Sequence, residues 1–177
     1  YLKVLFTYFK FIIILFSTFI VIEDGFPILF KQKRSGLDNK EFWCYKFRSM
    51  RKNSSADLKQ ASKNDSRITE IGKFLRKTSL DELPQIWSVI KGDMALVGPR
   101  PALYNQNDLI SMRTKAGIQH LPPGITGWAQ ILGRDQLPVT EKVKLDEFYL
   151  KNRSLFLDLK ILILTLGAVF KWEQISH

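Results

Sequence analysis

Asp81 and Glu82 are neighbouring carboxylates in the stretch Thr78-Ser79-Leu80-Asp81-Glu82-Leu83-Pro84-Gln85, five residues after Arg76 and upstream of Gly98-Pro99-Arg100-Pro101. Acids held among basic residues and tight turns suit chemistry on a phosphorylated substrate. The bland alternative is a helix cap. Ser79 followed by Glu82 fits the S-x-x-E capping box, and Asp81 in a first turn complements the helix dipole. Pro84 bears on the choice. With Ser79 as the N-cap, Pro84 would be the fifth helical residue, where its missing N–H removes a hydrogen bond; a start at Leu80 or Asp81 puts it among positions that need no donor. The residues alone leave capping and chemistry evenly matched.

Arg100 lies between Pro99 and Pro101, so the backbone on both sides of it has a fixed φ before any ligand arrives. A preorganised guanidinium suits bidentate contact with phosphate or carboxylate. The competing reading is a rigid turn with a solvated arginine. His120, beside Leu121-Pro122-Pro123-Gly124, is either a base or a structural or exposed histidine.

The elements that must position these groups follow from composition and pattern. The chain has 177 residues, a formal charge of +10 and a sequence pI near 9.7. That size fits one compact domain, or one domain plus a membrane element, and the charge asks for a polyanionic neighbour: nucleic acid, a phosphorylated ligand or an acidic membrane surface. Cys44 is the only cysteine, which excludes an internal disulfide and a cysteine-based zinc site and suits a cytosolic face. The first residue is Tyr rather than Met, so the natural start is expected upstream.

Residues 4 to 22 are apolar apart from Lys10 and a few hydroxyls. A helix of that length reaches about 28 Å, just short of the roughly 30 Å hydrocarbon core. A membrane-embedded helix over 1–22 is the expectation, with a buried soluble helix as the alternative. Residues 28–34 and 41–48 flank a Gly/Asp/Asn loop and predict a β-hairpin, with Phe42, Cys44, Lys46 and Arg48 on one side and Trp43, Tyr45 and Phe47 on the other. One face would be core and the other basic. Residues 51–66 predict a polar surface loop, and Ile68, Ile71, Phe74 and Leu75 give the stripe of a helix ending near Arg76 or Lys77. Further expectations are a helix from Leu80 or Asp81 to Gly92, a short strand Ala95-Leu96-Val97, a helix over 103–115, a rigid Pro-Gly turn with a strand-like run over 121–131 that Gly133-Arg134-Asp135 ends, and a charged helix from Pro138 to about Lys151. Residues 155–170 predict an interfacial or core-packed helix. The fold class is α+β: a membrane-embedded helix, a small hairpin and several surface helices forming one catalytic domain over 23–177.

The series PILFKQKRSG, YKFRSM, GKFLRKTSLDELPQIWSVIKGDMALVGPRP, PGITGWAQILGRD and LDLKILILT, in this order and spacing, closely resembles the monotopic polyprenyl-phosphate phosphoglycosyl transferases, the bacterial sugar transferases that start glycoconjugate assembly. The resemblance runs from Phe26 to about Thr165. It implies transfer of a sugar 1-phosphate from a UDP-sugar to a polyprenyl phosphate at the cytoplasmic face of a bacterial membrane, with Mg²⁺ and release of UMP. It further implies a covalent phosphosugar on Asp81, with Glu82 as its partner and the metal at this dyad. Arg76 and Arg100, with Pro99 and Pro101, match phosphate-binding positions; Lys46, Arg48, Gln130 and Arg134 are further substrate contacts on the same resemblance. N-acetylated sugars fit short members, a homodimer is compatible, and nucleic acid is not a partner. Family members break the N-terminal helix at Ser-Pro so that it re-enters on one face. No proline stands near Lys10-Phe11 in this chain, so re-entry rests on the resemblance and a full crossing stays open. The competing function is a non-catalytic membrane-surface protein using its basic face on anionic lipid or nucleic acid.

Overall fold

The computed structural model describes residues 2–51, 65–133 and 137–171. The chain divides into two units, one built from residues 1–30 and 45–84, the other from 31–44 and 85–177. The polar loop expected over 51–66 falls largely outside the described residues, as does Arg134.

The first unit begins with α1 (Leu2–Asp24), which runs unbroken. Its apolar residues do not share one environment. Phe16 and Ile20 are buried with Phe47 and Leu75, and Ile13 packs beside them, a stripe at helical spacing. Tyr8, Phe11, Ile14, Phe19 and Ile22 remain exposed. The helix is therefore partly a core helix, which the uniformly apolar sequence did not reveal. No described helix is long and apolar enough to cross a membrane.

Strands β1 (Leu29–Ser35) and β2 (Glu41–Phe47) form the expected two-stranded sheet. Its expected division into a core face and a basic face fails. Cys44 and Arg48 are buried on one side and Phe47 on the other, while Trp43 is exposed under the ammonium groups of Lys31 and Lys33. Alternation marks one core only where a strand serves one core, and the two ends of β2 belong to different units. Helix α2 (Glu70–Lys77) ends where its apolar stripe predicts.

In the second unit, β3 (Ala95–Val97) pairs in parallel with β4 (Gly124–Thr126), Ala95 opposite Gly124 and Val97 opposite Thr126. Parallel pairing needs a long crossover, here carrying α4 (Asn107–Lys115). Helix α4 starts later than the expected Leu103, because Leu103 bridges Arg34 and donates its N–H to Gln106 Oε1. The strand-like run expected within 121–131 is present as β4 and stops there: Trp128–Leu132 is helix α5. The aromatic residue favoured a strand by propensity, and tertiary packing of Trp128 overrode it: the ring stacks on Phe148, 5.7 Å between centroids. Helices α6 (Val139–Asn152) and α7 (Leu155–Lys171) complete the unit, with α3 (Ile86–Ile90) before β3. One core joins Val97, Leu121, Tyr149 and Ile161; a second joins Ala102, Leu109, Ile118 and Val143.

The backbones around β3 and β4 approach too closely for side chains. A Cβ on Gly124 would stand 2.1 Å from Gly98 N, and one on Gly127 would stand 2.1 Å from Gly98 O. Both neighbours are backbone and cannot rotate away. Gly124→Ala is expected to destabilise the protein by about 1–3 kcal/mol, the usual cost of overpacking, read as a lower midpoint in denaturant; an unchanged midpoint would show that this contact is loose.

Candidate active site

The acidic pair is placed by the end of α2 and the turn that follows. Thr69 Oγ1 accepts from Gly72 N at the helix start, and Glu23 accepts from Glu70 N and Ile71 N, at 2.6 and 3.0 Å. These acceptors satisfy amides that a helix start leaves unpaired. The sequence reading overlooked Glu23, although an acid at the C-terminal end of a helix sits against the dipole and so signals an outside partner. At the other end Arg76 donates from Nε to Ser49 Oγ, at 2.8 Å.

The chain then reverses. Ser79 has φ 56°, in the left-handed region, and Glu82 N donates to Ser79 O at 3.3 Å. An N-cap serine needs extended backbone, so this conformation does not suit the S-x-x-E capping box. A 3₁₀ helix over Leu80–Gln85 begins where Pro84 requires, and Pro84 lies inside it. Because that helix is short and not α, its dipole contributes little. Leu80 and Leu83 pack on the Phe16, Phe47 and Leu75 core, leaving the intervening acids for polar partners. Glu82 Oε1 accepts from Lys46 Nζ of β2. Burial lowers the Arg76 guanidinium, and the charge of Asp81 raises it. The first unit thus brings Lys46, Arg76, Asp81 and Glu82 into one electrostatic group. Arg48 has a different job: Nη2 bonds Asp24 O and Gly25 O at 2.9 and 2.7 Å and pairs with Asp24 Oδ2, anchoring the exit of α1.

In the second unit, each carbonyl from Pro99 to Ala102 has a donor. Pro99 O accepts from Gly124 N at 2.9 Å, Arg100 O from Arg113 Nη1 at 2.7 Å, Pro101 O from Arg34 Nη1 at 3.0 Å, and Ala102 O from Ser35 N at 2.9 Å. Proline rings fix φ, and these bonds fix the peptide planes. Arg113 also donates from Nε and Nη2 to Asp146 Oδ2, at 3.0 and 2.6 Å. Asp146 is only 2% exposed. Burial pushes its carboxyl up, while the Arg113 charge and hydrogen bonds pull it down. Neither Arg113 nor Asp146 was singled out by sequence. A signal existed: Asp146 lies between Val143 and Tyr149 at spacing three on the buried face of α6, and a carboxylate there demands a buried cation.

Gln130, expected to meet substrate, donates from Nε2 to Ile125 O at 2.9 Å and so braces the turn after β4. His120 is exposed, its Nδ1 2.7 Å from Asp38 Oδ1 and its Nε2 3.0 Å from Gln119, the structural reading of that histidine. Among the described residues no three His, Cys, Asp or Glu side chains group as a metal cage. The Asp81 and Glu82 oxygens are nonetheless hard donors of the kind Mg²⁺ uses, with one or two carboxylates completed by phosphate and water.

The profile of the family described as bacterial sugar transferase matches residues 2–172. The chain belongs to the bacterial sugar transferase family. This sugar transferase is 45% identical over 169 residues to the uncharacterized sugar transferase EpsL of Bacillus subtilis (strain 168), covering 94% of the chain and 82% of EpsL. It is 43% identical over 148 residues to the UDP-glucose:undecaprenyl-phosphate glucose-1-phosphate transferase of Xanthomonas campestris pv. campestris, which covers 78% of the chain and 31% of that protein. To the undecaprenyl-phosphate galactose phosphotransferase of Salmonella typhimurium it is 40% identical over 167 residues, 85% of the chain and 35% of that protein. It therefore spans most of EpsL but about a third of the two longer relatives.

Lys46 and Glu82 are both largely shielded, with side chains 21% and 18% exposed. Lys46→Met in this transferase leaves a shielded carboxylate without that donor and is expected to cost roughly 1–3 kcal/mol of stability. Adding Glu82→Gln should recover part of it in a denaturant titration; equal stability of wild type and Lys46→Met would mean that the ion pair contributes nothing.

Proposed function

We propose that the protein transfers a sugar 1-phosphate from a UDP-sugar to undecaprenyl phosphate or a related polyprenyl phosphate, releasing UMP. Two relatives carry names stating transfer of this kind. The observation in this chain that supports it best is the division of roles in the acidic pair: Glu82 is held by Lys46, while Asp81 faces the charge of Arg76. In this reading an Asp81 oxygen attacks the phosphorus that bears the sugar. The bond from that phosphorus to the UMP oxygen breaks, and UMP leaves with the electron pair. An oxygen of the lipid phosphate then attacks the same phosphorus and releases the Asp81 carboxylate. Each step exchanges one P–O bond for another, so neither requires a general base.

Lys46 holds Glu82 in place, and Arg76 draws the anionic substrate toward Asp81 and offsets the repulsion between carboxylate and phosphate. Arg100, its backbone clamped, presents a planar guanidinium to a phosphate group. Asp81 and Glu82 are the residues that would hold Mg²⁺, and the ion would supply further neutralisation of phosphate charge. The exposed apolar residues of α1 suit a lipid surface as the site of the acceptor, and, in the other unit, Leu155, Phe156, Ile163 and Leu166 of α7 suit one as well. We place that surface at the cytoplasmic face of a bacterial membrane, with residues 1–22 as its embedded element and 23–177 as the catalytic part.

A screen of UDP-glucose, UDP-galactose and their N-acetylated counterparts with undecaprenyl phosphate and Mg²⁺ should release UMP with at least one donor. Asp81→Asn should abolish both UMP release and the mass increment of a phosphosugar on the protein. Full turnover by that variant would remove Asp81 as nucleophile, and no UMP from any donor would sink the transferase reading.

A further inference from the structure

The peptide joining Arg100 to Pro101 has no N–H, because proline supplies its nitrogen. Its orientation can be anchored only through the Arg100 carbonyl, and that carbonyl accepts from Arg113 Nη1 at 2.7 Å. The donor is itself immobile. Arg113 is 9% exposed, and its Nε and Nη2 both meet Asp146 Oδ2, so three N–H groups of one planar guanidinium are aimed at fixed acceptors. The neighbouring peptides are pinned separately, Pro99 O by Gly124 N and Pro101 O by Arg34 Nη1. Rotation about the Arg100 backbone is thus the one freedom that the prolines and these two bonds do not remove.

We propose that Arg113, oriented by Asp146, is a positioning residue that sets the direction of the Arg100 side chain by fixing the Arg100 carbonyl. The proposal rests on the transferase reading only in giving Arg100 a phosphate to bind. A buried ion pair alone is weak grounds for a stability role, since apolar replacement of both partners is often neutral or better. Here the guanidinium reaches past its carboxylate to the backbone of a candidate binding residue. Small displacements of such a residue carry large rate effects.

The test uses the full chain with its lipid acceptor and compares Arg113→Lys, Arg100→Ala, their combination, and the apolar pair Arg113→Met with Asp146→Leu. Lysine keeps the charge of Arg113 without its fork. Arg113→Lys is expected to raise KM for the UDP-sugar roughly tenfold with a smaller change in kcat, to weaken UDP inhibition in parallel, and to add less than about twofold to the loss in Arg100→Ala. The apolar pair should recover denaturant stability yet keep the raised KM. Amide exchange at Arg100 and Ala102 should quicken in both variants whether or not a donor sugar is known. Fully additive losses with Arg100→Ala, or a wild-type KM in the apolar pair, would overturn the proposal. Absence of UMP release by the wild-type chain would instead overturn the transferase reading, and faster exchange at Arg100 alone would still support the positioning role.

Discussion

The close parallel approach of β3 and β4 is the constraint on which the second unit depends. Three glycines, Gly98, Gly124 and Gly127, stand where any Cβ would collide with backbone atoms. Without that approach Gly124 N could not reach Pro99 O, nor could Gly98 N reach Thr126 O at 2.9 Å. A strand of three residues gains little from its own ladder. What it gains from proximity is a fixed exit for the chain, and the segment that leaves is Pro99-Arg100-Pro101. Prolines cannot donate, so the segment must be held by its acceptors. Donors arrive from β4, from α4 and from β1, three elements far apart in sequence.

Burying Arg113 and Asp146 is expensive in desolvation, and a buried ion pair is poor evidence of net stabilisation. It survives in a unit whose two cores are built of apolar and aromatic side chains, beside Val143 and Tyr149 on α6. The pair supplies a donor to the Arg100 carbonyl. An apolar residue in place of Arg113 would leave the Arg100 carbonyl without this partner, which is a reason for the charge that stability alone does not supply.

The first unit solves a different problem, that of presenting two acids without burying them. Leu80 and Leu83 turn inward onto Phe16, Phe47 and Leu75, and a 3₁₀ helix of three residues per turn keeps those two leucines on one side. Asp81 and Glu82 lie between them in sequence and are left for cations. Glu23 joins α1 to the start of α2, and Arg48, just after β2, joins the end of that strand to the exit of α1. Membership of the bacterial sugar transferase family accounts for why these motifs occur in this order.

Local chemistry was legible in the sequence. Pro84 fixed the late helix start, the apolar stripe placed the end of α2, the Gly/Asp/Asn loop marked the hairpin, and the acids beside Arg76 stood out by type and spacing. Such features depend on neighbours along the chain, whose geometry the backbone dictates. Non-local features were not legible. The helical rather than extended Trp128–Leu132, the burial of Arg48 and the partner of Arg100's carbonyl each depend on a residue distant in sequence, and the left-handed turn at Ser79 has no signal in its residue type. Arg113 and Asp146 are 33 positions apart, and no local periodicity links them. The residue types of the acidic pair and of the Pro-Arg-Pro segment were therefore set by the sequence alone. Which arginine braces a carbonyl and which anchors a helix was decided by tertiary packing, because a guanidinium takes its role from the acceptors that folding brings to it.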